Sequence, residues 1–275
     1  MADFTTADVV KLRKTTGAGM MDCKNALNEA NGDFNQALDI IRKKGQLVAN
    51  KRADREATEG VVLAKTTADG SKGVMIVLNC ETDFVAKNEK FILFAESLLN
   101  VAVDKLPANL DELKKLDLDG KSIEETVIER VGIIGEKLDL SFYSKLEANI
   151  VVPYMHPGNN LASMAGFNKK PEVQVGKDIA MQIAAMNPVA VDKDQIPQEI
   201  IDKEIEIGRY QAKQEGKPEQ LLEKIAIGKL NKYFKERTLM NQEFIKDNKQ
   251  TIRQYLEAQD KELKVTGIER FNLKD

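Results

Sequence analysis

The sequence predicts an α+β protein, and three patterns carry that prediction. Residues 1 to about 50 place apolar side chains at helical spacing in three short runs. The middle of the chain repeats a unit of strand, tight turn, strand, polar loop and helix, with first strands starting at residues 61 and 149. Residues 197–237 hold two more helical runs, separated by the sharp stop and restart Gly216-Lys217-Pro218. At 275 residues the chain has length for about two domains and an extension, with room for real cores.

The first helix can be capped by Thr5 or Thr6, turns Val9 and Leu12 inward, and is broken by Thr16-Gly17-Ala18-Gly19. Met20 to Ala30 form the second, ended by Asn31-Gly32-Asp33, and Phe34, Ala37, Leu38 and Ile41 recur at the spacing of an amphipathic third helix. Residues 42–55 carry six Lys or Arg against the one acid Asp54. That run reads as a helix end and linker, or as a local basic contact surface. Residues 61–67 and 73–80 are strands around the Asp69-Gly70 turn, followed by a helix on Phe91, Phe94, Leu98, Val101 and Ala102. Residues 110–138 look helical.

The second copy follows, with strands at Asn149–Tyr154 and Leu161–Phe167 around Pro157-Gly158-Asn159-Asn160, then a helix from about Gly176 that stops at Asn187-Pro188. The copies share little sequence, so the duplication is one of structure. In 197–237, Ile200, Ile201 and Ile205 face Leu222, Ile225, Ala226, Leu230, Tyr233 and Phe234 in an antiparallel helical hairpin of coiled-coil type. Nine basic and eight acidic residues mark its outer faces as solvated, and it serves either as scaffold or as a docking arm for a partner or a second copy. Val265–Phe271 makes a last strand.

Composition is that of a globular protein, with 42% hydrophobic and 31% charged residues. A net charge of −3 argues against direct binding of nucleic acid, which usually draws on a strongly basic surface. Cys23 and Cys80 have no metal-ligand spacing and read as small buried thiols in a reducing compartment. With no signal-peptide pattern and no run of transmembrane length, a cytoplasmic protein without membrane contact is expected. A single histidine, His156, excludes His–His metal sites and leaves little for triad chemistry. Gly120-Lys121-Ser122 imitates the end of a phosphate-binding loop, but Lys115 stands where its first glycine belongs. No enzyme activity, metal or cofactor is expected.

The most informative segment is Thr82-Asp83-Phe84-Val85-Ala86-Lys87-Asn88, which sets a carboxylate beside an aromatic ring between the strand Val74–Leu78 and a helix. Its plain reading has Thr82 or Asp83 capping the helix while Phe84 tucks into the local core. The sharper reading leaves Phe84 outside, as a contact residue. Similarly, Leu12, Met20 and Met21 are either core residues of a small helical unit or adaptable apolar contacts, and His156 alone is an exposed turn residue.

Val9-Val10-Lys11-Leu12-Arg13 with Thr15 to Lys24 resembles the opening signature of the elongation factor Ts family, and residues 82–88 resemble its second signature. Ile134-Gly135-Glu136, Tyr154 with His156, and Gly216-Lys217-Pro218 also stand where that family has comparable residues. The resemblance implies a non-enzymatic guanine-nucleotide exchange factor for the GTPase elongation factor Tu. It implies a three-helix domain similar to ubiquitin-associated domains at 1–52, core subdomains at 56–142 and at 143–195 with 238–275, and a protruding helical hairpin at 196–237. Residues 1–50 should then be removable with the core still folded. The implied partner contacts are Leu12, Met20, Met21, Thr82, Asp83, Phe84, Val85, Ile134, Gly135 and His156. Self-association through the hairpin is a further expectation.

Two departures are expected to matter. The contact made by the C-terminal helical module common in the family is expected to be missing or supplied otherwise, since the sequence given stops soon after Arg270-Phe271, and Asn241-Gln242-Glu243-Phe244 lacks the family's usual proline after the glutamine. The alternative to exchange is an adaptor or ribosome-associated binding protein that uses the same helical parts.

Overall fold

The first helix begins where its cap dictates. In the computed structural model, which describes residues 4–275, Thr5 accepts a hydrogen bond from the Asp8 amide at 3.3 Å while Asp8 accepts one from the Thr5 amide at 2.8 Å. Helix α1 (Thr6–Thr16) ends at Gly17, whose left-handed φ of 74° lets the chain reverse. It packs with α2 (Met20–Glu29) and α3 (Phe34–Lys51) around Val9, Leu12, Cys23, Ala26, Leu27 and Ala37.

Helix α3 is longer than the sequence pattern suggests, at 18 residues, and it serves two cores. Its first half closes the three-helix cluster with Ala37, Leu38 and Ile41, while Val48 and Ala49 in its second half pack on the next cluster. Removing residues 1–50 would therefore take that apolar contact from the core.

The core is two antiparallel three-stranded sheets. The first holds β1 (Glu59–Thr66) and β2 (Lys72–Cys80) with a later strand, and between them lie α4 (Asp83–Ala86), α5 (Glu89–Lys105), α6 (Leu110–Lys115), the small hairpin β3 (Asp117–Leu118) and β4 (Lys121–Ser122), and α7 (Ile123–Ile134). The later strand is β5 (Asp139–Glu147), paired with β2 in the order β1-β2-β5. The second sheet repeats this plan. Strands β6 (Ile150–Met155) and β7 (Leu161–Phe167) lead into α8 (Val173–Met186) and the helical pair α9 (Gln198–Gln214) and α10 (Glu219–Arg237). Then come a small hairpin, β8 (Glu243–Phe244) and β9 (Asp247–Thr251), helix α11 (Ile252–Gln259), and β10 (Val265–Asn272) in the order β6-β7-β10.

The duplication thus extends through small hairpin, helix and returning third strand, and the α9–α10 pair is an insertion into the second copy alone. At its base Gln242 is fully buried, donating to the carbonyls of Glu236 at 2.8 Å and Met186 at 3.3 Å and accepting from Gln182 at 3.1 Å. At the 241–244 departure, then, a buried amide ties the inserted helices to α8. The crossing of α9 and α10 is close, with Gly208 against Ala226, and Ile207, Tyr210, Leu221 and Ile227 are exposed on the outer faces.

The layers run helices, sheet, sheet, helices. Val61, Leu63, Val74, Ile76 and Leu78 face α5 and α7, while Val62, Ala64, Met75 and Val77 meet Val151, Ala162 and Met164 of the second sheet. With both faces buried, β2 reads as an uninterrupted apolar run. Gly73 sits where the sheets press together, since a Cβ there would come within 2.6 Å of both Met164 and Val151.

Two expectations need correction. Residues 110–138 are not one helix: Asp119 and Gly120, at φ of 57° and 84°, turn the chain in the β3–β4 hairpin between α6 and α7. Strand β5 was not foreseen, because the register shift opposite Val77 and Leu78 puts Leu140 and Phe142 on opposite faces and breaks the period of two. Both cysteines are buried free thiols. No helix among the described residues is long and apolar enough to cross a membrane.

Candidate partner-binding site

Helix α4 is a single turn of four residues. Thr82 caps it, its hydroxyl accepting from the Val85 amide at 3.4 Å. Val85 and Ala86 pack against the core under α5 and α7. One helical turn cannot point all its side chains inward, and the one left over is Phe84. It is 83% exposed, more than any other large apolar side chain among the described residues. The plain reading is therefore half right: Thr82 caps, but Phe84 stays out of the core. Asp83 pairs with Lys87 at 2.6 Å, and that hydrogen bond holds its carboxyl below the ordinary aspartate value.

Two carboxylates fix this turn to the rest of the molecule. Glu136, just past the left-handed Gly135 that ends α7, accepts from the Thr82 hydroxyl at 2.7 Å and from the Thr82 amide at 3.0 Å. Glu81 accepts from the Lys137 amide at 2.6 Å, from Arg52 at 2.7 Å and from Arg55 at 3.2 Å. Lys137 in turn donates to the carbonyls of Ala53 and Arg55, each at 2.8 Å. Arg42 reaches Glu129 at 3.1 Å and Lys44 pairs with Asp22. So the basic run 42–55 largely binds the chain to itself: four of its six cations are partnered internally. Neither Glu81 nor Glu136 was among the expected site residues, since partners some 55 positions away leave no mark in local spacing.

Burial, with the Glu136 charge nearby, pushes the Cys80 thiol up to about 12, which leaves it a protonated, inert core residue. Burial alone also pushes Glu81 upward, but the Lys137 amide and the two guanidinium groups overcome it and hold the carboxyl below the ordinary glutamate value. A lowered folded value means that the stability from Glu81 is complete above the unfolded glutamate range and is lost as pH falls through the folded value. The stability gap between the parent and Glu81→Gln should therefore be open at neutral pH and close in acid, as followed by urea denaturation across pH.

Beside Phe84 lies a cleft of about 450 Å³, lined by Val85, Phe91 and Phe94, by Ile133, Ile134 and Arg130 of α7, and by Gly17 and Lys90. Gly17 and Lys90 also border a shallower depression formed by Val10, Arg13, Lys14 and Met20. One surface thus runs from the three-helix cluster to the exposed ring. Met20 is 37% and Met21 65% exposed, whereas Leu12 is fully buried among Cys23, Ala26 and Leu27 and presents no surface. His156 is exposed in the β6–β7 turn, hydrogen-bonded to the Tyr154 hydroxyl at 2.9 Å, and is not part of this cleft. Its turn reaches β1, where the Asn159 carbonyl accepts from the Val62 amide at 2.6 Å, and α4 packs on β1 as well. No group of three or more His, Cys, Asp or Glu placed to hold a metal ion occurs among the described residues.

Apolar side chains set outside every core and beside a cleft are the pattern of a surface that contacts another macromolecule. The sequence profile described as elongation factor TS matches residues 81–275. An elongation factor Ts of Porphyromonas gingivalis is 54% identical over 98% of both chains, and one of Christiangramia forsetii is 48% identical over 99% of this chain and all of its own. One of Bacteroides thetaiotaomicron is 41% identical over 98% of both. The chain belongs to the elongation factor Ts family and is a translation elongation factor.

Proposed function

We propose that this chain is a guanine-nucleotide exchange factor that binds elongation factor Tu carrying GDP, disturbs its magnesium and phosphate site, and promotes GDP release. The observation that carries the proposal is Phe84, exposed on a turn whose capping residue is held by Glu136. By family resemblance this ring and Asp83 enter between helices of the GTPase near its magnesium. Magnesium requires near-ideal octahedral geometry and bridges phosphate to protein, so a small displacement of its surroundings is enough to weaken the nucleotide. Phe84 fills an apolar slot, and Asp83, which gives up only an exposed ion pair with Lys87, acts on the groups around the metal.

Thr82 and Val85 hold the ring, and Met20, Met21, Ile134 and Gly135 extend the contact. Leu12 acts only from within, as a core residue of the cluster that carries Met20 and Met21, and His156 makes a separate contact from the second half of the core. Coupling is reciprocal: what loosens GDP also loosens this chain when nucleotide returns, which makes the exchange repeatable. The decisive experiment follows fluorescent GDP leaving elongation factor Tu in a stopped-flow mixer. Release should accelerate steeply with added chain; binding without acceleration would leave only the adaptor reading.

A further inference from the structure

Residues 81–82 and 136–137 face each other as two copies of one pattern. Each pair begins with a glutamate, and each glutamate accepts the backbone N–H of the residue that follows the other one: Glu136 takes Thr82 at 3.0 Å, and Glu81 takes Lys137 at 2.6 Å. We infer that this reciprocal carboxylate clamp positions Phe84, and that Glu136 is a positioning residue for nucleotide exchange. The inference rests on the exchange reading above and adds to it the device that aims the ring.

A one-turn helix has no stability of its own, because nucleation costs more than a single turn returns. Something outside α4 must hold it. On its inner side Val85 and Ala86 rest on the core, which fixes depth but leaves the turn free to rock. Glu136 removes that freedom by engaging both the amide and the hydroxyl of the capping residue, one with each oxygen of its carboxylate. Gly135 makes this possible: its φ of 79° reverses the chain at the end of α7 and brings Glu136 back across to Thr82.

The same clamp measures the distance to the three-helix cluster. The carboxylate of Glu81 that holds Lys137 also holds Arg52 and Arg55, and the Lys137 ammonium is fastened to the carbonyls of Ala53 and Arg55. Those residues directly follow α3, which carries the cluster that bears Met20 and Met21. Both ends of the proposed contact surface are thus referenced to one pair of glutamates. Water can take the place of Glu136 at the half-exposed Thr82, so its removal should cost aim far more than fold.

The test is a double-mutant cycle on GDP release, with Glu136→Ala and Phe84→Ala made singly and together and the chain concentration varied. Glu136→Ala should lower the maximal release rate by roughly tenfold while barely changing the concentration that gives half of it, since a misaimed group loses rate before affinity. Glu136→Gln keeps an acceptor for one of the two Thr82 donors and should restore most of the rate. In the Phe84→Ala background the Glu136 change should have no further effect, because the two act as one unit.

Equal slowing with and without Phe84 would overturn the inference, as would a full rate in Glu136→Ala at unchanged thermal midpoint. Should Glu136→Ala fail to fold, the cycle built on Glu136→Gln decides the same question through its smaller effect. If Phe84→Ala alone left the rate untouched, the role of the ring would fall and take the clamp with it, whereas the exchange reading falls only if the parent chain does not accelerate release, which separates the two failures.

Discussion

Replacing Phe84 by alanine is expected to slow GDP release from elongation factor Tu by roughly 30- to 700-fold, the equivalent of about 2–4 kcal/mol for a central interface anchor. The thermal midpoint should move by no more than about 2 °C, since a ring that is 83% exposed contributes little to its own fold. The separation of the two effects is what identifies a contact residue. A core phenylalanine such as Phe91, fully buried beneath it, would behave in the opposite way and cost about 3–5 kcal/mol of stability on truncation. Stopped-flow release and calorimetry on the same two variants read both quantities. A normal release rate for Phe84→Ala, or a large fall in its midpoint, would contradict the role given to it.

On the proposed exchange reading Phe84 cannot act alone. To swing the GTPase from about 1:99 to about 99:1 in favour of the emptied state, the factor must prefer that state by about 5.5 kcal/mol. Burying a phenylalanine side chain returns about 1.5–3 kcal/mol at most. The remainder has to come from surface that is engaged only once the ring is seated, and the cleft bordered by Ile134 together with the exposed Met20 and Met21 is placed to supply it. On that reading the three-helix cluster and the core need a fixed relation.

What the sequence disclosed, and what it hid, follow from the range of the interactions. Helices capped by their own residues, such as α1 at Thr5, and hairpins turned by Asp-Gly or Pro-Gly-Asn-Asn were legible, since the cause lies within a few positions. The duplication was visible in its hairpins and helices. Its third strands were unequally so: β10 was expected, whereas in β5 a register shift breaks the alternation. The Asp119-Gly120 turn carried a hairpin signal that its neighbours' helical spacing obscured. At the candidate site, the residue types of 82–88 marked the segment, but exposure of Phe84 depends on Val85 and Ala86 winning the core positions. The Glu81 and Glu136 partners lie too far along the chain for spacing to suggest them. Leu12 illustrates the converse: its signature position drew a contact role, and packing made it a core residue.

The relation between cluster and core turns on one helix crossing. At the crossing of α3 and α7, Gly45 lies against Gly132 so closely that a Cβ on Gly132 would stand 2.3 Å from the Gly45 Cα. Ordinary contact begins near 3.4 Å, and both sides are helix backbone, so Gly132→Ala forces α3 away by about 1 Å at a cost of about 1–3 kcal/mol. The movement should be felt at the cluster, because α3 closes that core with Leu38 and Ile41 while Val48 and Ala49 stay seated on the main one. Amide exchange in α1, α2 and the first half of α3 should therefore quicken, and GDP release should slow as Met20 and Met21 lose register with Phe84. Gly216→Ala is the matched control. At φ of 70° it is strained by a side chain, yet nothing lies within 4 Å and it sits in the α9–α10 turn, away from the crossing. It should lower stability with release unaffected. If both variants slowed release alike, loss of stability would be the whole explanation; if only Gly132→Ala did so, the spacing between cluster and ring is itself part of the exchange machinery.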